Sequence, residues 1–119
     1  MTKAKNSVAI NNHFDGREPI VREIYDHLVA LLKQFGPVVE EPKKTSIHLV
    51  NRTALAGVAT RKDSLILTIK SDHKLSGSRI HKTEQASARR FHQEIRLKSL
   101  ADTDAELIGW LKDAYALSA

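Results

Sequence analysis

The chain has 119 residues, enough for one domain that buries roughly two-thirds of the surface its unfolded form exposes. A hydrophobic fraction of 41% and a charged fraction of 28% are ordinary for a globular protein, and the lack of cysteine excludes disulfides, thiolate metal sites and cysteine nucleophiles. The formal net charge is +5, unevenly placed: residues 43–98 hold 13 bases against 4 acids, whereas residues 1–42 hold 5 against 6 and residues 99–119 hold 1 against 4.

Residues 1–14 are polar and are predicted to form a mobile tail ahead of a single α+β domain over residues 15–119. The tail has no apolar core suited to a secretory signal, and no apolar run approaches the ~20 residues of a membrane helix. A cysteine-free chain of this kind suits the reducing cytoplasm.

The first predicted element is a helix in "PIVREIYDHLVALLKQFG". Ile20, Ile24, Leu28, Leu31 and Phe35 recur at helical spacing, with Val21 and Leu32 widening the stripe. Pro19 suits the first turn, and Gly36-Pro37 ends the helix. Glu40-Glu41-Pro42 reads as a turn. Strands are predicted at "TSIHLV" (45–50), "TALAGVAT" (53–60) and "SLILTIK" (64–70), with Asn51-Arg52 placed for a hairpin. In the third of these, Leu65, Leu67 and Ile69 face one side while Ile66, Thr68 and Lys70 face the other.

The stretch "SDHKLSGSRIHKTEQASARR" has no clear period and reads as a long connection, with one helical turn near 85–89. "FHQEIRLK" (91–98) alternates sharply: Phe91, Ile95 and Leu97 point one way, and His92, Glu94, Arg96 and Lys98 the other. A closing helix carries Leu107, Ile108, Leu111 and Tyr115, with Ser99 or Asp102 as its cap and Asp104 and Glu106 in its first turn. The fold expected is α+β: a curved antiparallel sheet of about four or five strands with the N-terminal and C-terminal helices packed on one face.

On that fold the helix-free face displays cations. Lys44, His48, Lys70, His92, Arg96 and Lys98 come from the strands and their ends; Arg79, Lys82, Arg89 and Arg90 border them from the connection. Together these ten residues form the candidate anion-binding set, for nucleic acid or another polyanion, because a basic surface is the footprint of phosphate binding. A solvated face with no ligand fits the same charges. Phe91 is the segment's one aromatic and is expected inside, which argues against base stacking. Val50, Val58 and Ile66 on the same face would suit a homodimer through it instead.

No metal or cofactor is expected. The six histidines lack zinc-protease spacing, no glycine-rich phosphate loop or nucleophile elbow occurs, and Glu94 with Arg96 lacks the partner acids of a nuclease. Trp110 and Tyr115 read as packing anchors.

The stretches "FGPVVEEP", "KKTSIHL", "LAGVATRKDSLILTI", "EIRLKS" and "DAELIGWLKDAY" resemble a prokaryotic family known as domain of unknown function number 5655. The resemblance spans most of residues 19–117 and implies a fold without supplying a mechanism. Where relatives carry a glycine-and-aromatic element before the last strand, this chain has "SARRFHQ". Some relatives bear a transport label, and no membrane segment accompanies it here.

Overall fold

Pro19 opens the first long helix, α1 (Pro19–Lys33), where its missing N–H leaves no bond unmade and its fixed φ already fits the helix. The computed structural model describes residues 8–119. Helix α1 buries Val21, Ile24, Tyr25, Leu28, Val29 and Leu32. The buried stripe is therefore turned slightly from the expected one: Ile20, Leu31 and Phe35 lie at its margin. Just beyond the helix, Gly36 has φ +154°, and a Cβ there would overlap the Tyr115 hydroxyl, which donates to Pro37 O at 3.0 Å. The stop signal in the sequence thus also lets the closing helix approach.

Six antiparallel strands follow: β1 (Val39–Pro42), β2 (Ile47–Val50), β3 (Ala54–Thr60), β4 (Leu65–Ser71), β5 (Ile80–Ser87) and β6 (Arg90–Leu97). Their order in the sheet is β1-β2-β3-β4-β6-β5. A 3-10 turn (Leu100–Asp102) leads to α2 (Ala105–Leu117). Period-two burial in β4 and β6 puts Leu65, Leu67, Ile69, Ile95 and Leu97 into one core with both helices, each buried aliphatic contributing about 2 kcal/mol. A bulge opposite Leu49 and Val50 leaves both Leu55 and Ala56 buried.

The sheet has six strands where about four or five were expected, and the two that the sequence did not reveal, β1 and β5, were each hidden for a physical reason. Glu40-Glu41-Pro42, read as a turn, belongs to β1, an edge strand that tolerates a proline at its end. The supposed connection contains β5, whose residues 81–87 are all exposed, so no burial imposes an apolar alternation. The helical turn expected near 85–89 is replaced by the β5–β6 hairpin, with Ala88 and Arg89 at its tip.

Smaller corrections follow the same logic. Val58, expected on the open face, is buried against the helices. The cap of α2 is Asp104, whose carboxylate accepts from Leu107 N at 3.1 Å; Asp102 instead accepts from Lys98 N and Ser99 N at the 3-10 turn. Of the expected tail, residues 1–7 lie outside the described residues, while residues 8–12 are helical and Ile10 is buried in the core. Packed chain therefore begins before position 15.

Candidate anion-binding face

Cross-strand register defines what the helix-free face presents. One row runs Glu41, His48, Gly57, Thr68, Glu94 and Lys82 across the sheet. The next runs Lys70, His92 and Glu84. Ala59, Ile66 and Arg96 form another. Because β3 carries Gly57 and Ala59 here, the middle of the face has a floor with almost no side chain.

Above that floor lies a hollow of about 280 Å³, with His48, Thr68, Lys70 and His92 around Ala54, Gly57 and Ala59. A second hollow, of about 400 Å³, lies at the end of the sheet beside the β5–β6 hairpin and the end of α2. It is lined by Arg90 and Ser87 and shares Ala54, Lys70 and His92 with the first. Lys70 and His92 are direct partners in the β4–β6 ladder, so a lysine and an imidazole stand on the ridge between the hollows. The α2 carboxyl end presents the negative end of its dipole to the second hollow.

The ten predicted residues do not assemble as one surface. His48, Lys70, Lys82, Arg90, His92 and Arg96 share the open face. Glu41, Glu84 and Glu94 lie among them, so the expected broad positive face is a mixed one. Lys44 sits in the turn between β1 and β2, Arg89 at the hairpin tip and Lys98 beyond the end of β6; all three are exposed.

Arg79 is a clear correction. It lies toward α2, not on the open face, with Nη1 donating to Asp104 at 2.8 Å and Glu106 at 3.3 Å, and Nη2 to Asp102 O at 2.5 Å. Its guanidinium also stands 5.9 Å from the Trp110 ring centre. Its charge is therefore committed to the start of α2. Partial burial opposes that charge, but the two carboxylates outweigh it and raise the Arg79 pKa above its usual value. In return, the Leu107 N–H and then Arg79 hold the Asp104 carboxyl below its usual range.

The other ion pairs among the described residues are Arg22–Asp26, Lys43–Glu41 and His73–Asp72. Lys70, Arg90 and His92 belong to none of them. Arg90 spends one N–H on Arg89 O at 2.8 Å. His48, Lys82 and Arg96 likewise belong to no ion pair, so no basic residue of the open face is in one among the described residues.

Aromatic placement limits what the face can do. Phe14 packs on Tyr25 and Phe35 on Tyr115, Phe91 is on the helix side of β6, and Trp110 is on α2. None reaches the open face, so base stacking has no platform there. Buried Tyr25 donates to Glu40 at 2.5 Å; burial first, then this bond, pushes its ionisation far above the ordinary tyrosine range. Among the described residues no three His, Asp or Glu side chains are grouped to hold a metal.

Sequence reasoning missed the small-residue floor and the amide of Gln93. Ala54, Gly57 and Ala59 were visible as small positions in a strand, but their shared face depends on the β3 bulge. Gln93 is fully buried on the helix side; its amide donates to Ser71 Oγ and His73 O and accepts from Leu75 N at 2.7 Å, fastening residues 71–75.

These features define an α+β domain with one face of its sheet covered by helices and the other open, grooved and lined with basic side chains that form no ion pair among the described residues. The model of a domain of unknown function (DUF5655) matches residues 10–118, and the chain belongs to that family. No curated protein and no solved structure matches it. Among the described residues, no helix is long and apolar enough to cross a membrane.

Proposed function

We propose that this domain is a non-catalytic binding module of the reducing cytoplasm that seats an anionic group of its partner on the open sheet face, with nucleic-acid phosphate the leading ligand. The observation that carries the reading is the ridge: Lys70 and His92, opposite each other in the ladder, line both hollows, Arg90 lines the second, and none of the three is in an ion pair among the described residues. Charge and fit would supply the affinity, because the face offers no aromatic platform.

A titration of labelled single-stranded and duplex oligonucleotides at several salt concentrations tests it. Engagement of three phosphates predicts a log–log salt slope of about −2.7 on duplex and about −2 on single strands. The combined variant Lys70→Ala/Arg90→Ala/His92→Ala should abolish the slope, whereas Lys112→Ala on the exposed side of α2 should leave it unchanged. No binding at low salt, or equal binding by the triple variant, refutes the proposal.

A second reading, a protein-interaction domain with no nucleic-acid role, is favoured by one observation. Val39 is 53% exposed, and Val50, its ladder partner, and Ile66 are only half-buried on the same face. Self-association lost with Ile66→Asp would support that reading.

A further inference from the structure

The second edge of the sheet poses a separate question. β1 is a four-residue edge ending in Pro42, a common way to discourage further pairing. β5 is different: it is eight residues long, contains no proline, and is exposed from His81 to Ser87. Register shifts near His81 and Ala86 bracket it, but residues 82–85 run in unbroken pairing with β6. Their outward backbone groups have no ladder partner within the sheet.

We infer that β5 is a self-association edge, and that a second copy of this chain adds its own β5 antiparallel to it across a two-fold axis at Thr83. Charge selects both the occupant and the register. Lys82 and Glu84 project from the same face, two residues apart. An axis through Thr83 places Lys82 opposite Glu84 of the second copy and Glu84 opposite its Lys82. An axis at either charged residue would instead oppose like charges directly, which disfavours pairing. A strand built only to repel neighbours would carry charges of one sign; this one is complementary to its own reverse.

The match extends beyond the edge. Within one copy Lys82 faces Glu94, and Glu84 faces His92, which faces Lys70. Across the axis the row becomes Glu94, Lys82, then Glu84, His92 and Lys70 of the second copy, with no two like-charged formal ions adjacent. On the other face Thr83 meets its own counterpart, a pair that cross-strand ladders favour. Such an axis stands perpendicular to the sheet, so the two six-stranded sheets join with both open faces on the same side. The two β4 strands would then lie about 24 Å apart, five strand spacings of ~4.8 Å. This assembly does not depend on what the open face binds.

Because the protein has no cysteine, one introduced thiol reports on the register directly. Sedimentation of the full chain should show a concentration-dependent dimer. Lys82→Glu and Glu84→Lys should each weaken it at least tenfold, and the chain carrying both exchanges should recover to within about threefold of the parent. With oxidised glutathione, Thr83→Cys should form a covalent dimer, whereas Gln85→Cys, which faces residue 81 of the second copy, should not. These positions are exposed, and circular dichroism checks that each variant is folded. A chain that stays monomeric with no Thr83→Cys cross-link overturns the inference. So does a dimer indifferent to the charge exchanges.

Discussion

Gly57 lies where the needs of the fold and of the proposed site diverge. It sits mid-strand in β3, in the floor of the first hollow of the open face, with Thr68 opposite it on β4 and His48 on β2. A Cβ added there would meet only His48 Cδ2 at 3.9 Å, an ordinary contact. A glycine inside a strand weakens it by roughly 0.5–1 kcal/mol relative to alanine, through the freedom it has in the unfolded chain. Gly57→Ala should therefore stabilise the protein by about that amount, raising Tm by about 2–5 °C in a domain of this size. Gly57→Val should also fold, since a β-branched side chain suits a strand. Its added bulk should occupy the hollow and lower oligonucleotide affinity about tenfold, equivalent to ~1.4 kcal/mol. Thermal melts and the same titration on both variants measure the two effects. A loss of stability in Gly57→Ala would contradict the geometry of the floor, and unchanged affinity in Gly57→Val would remove the hollow from the binding site.

Two further predictions concern the supports of the site. Gln93→Leu leaves Leu75 N–H without its acceptor and should cost about 1–3 kcal/mol in denaturant unfolding, with faster hydrogen exchange at the Leu75 amide. Unchanged exchange there would show that the amide does not fasten this loop. Asp104 is held below its usual carboxyl range when folded, so its contribution is complete above the unfolded pKa of about 3.9 and is lost as pH falls through the lower folded value. Denaturation midpoints from pH 6 down to pH 2.5 should therefore fall more steeply for the parent than for Asp104→Asn; parallel profiles would contradict the assignment.

Sequence legibility followed burial. The β4 and β6 faces were readable because one side of each strand is packed under helices, which forces strict alternation in "LILTIK" and "FHQEIRL". Helix α1 was readable from its stripe and its stop, although tertiary packing selected Tyr25 and Val29 over Leu31 and Phe35 for burial. β5 was unreadable because a strand wet on both faces leaves no hydrophobic period. Within the candidate site, His48, Lys70, His92 and Arg96 were placed correctly by strand parity alone. Arg79 was misplaced because its partners, Asp104 and Glu106, are 25 and 27 residues further along the chain. The charge excess of the middle segment likewise said little about which face would carry it. Lys44, Arg89 and Lys98 lie at turns or strand ends, and acids from β1, β5 and β6 share the open side.

The most direct test of the open face is an amide chemical-shift map of the protein titrated with a short single-stranded oligonucleotide at low salt. The largest changes should fall at Ala54, Gly57, Lys70, Arg90 and His92, fade as salt rises, and spare Arg79 and Trp110. Changes centred on α2 and Arg79, or spread evenly over every exposed lysine and arginine, would contradict the proposed site.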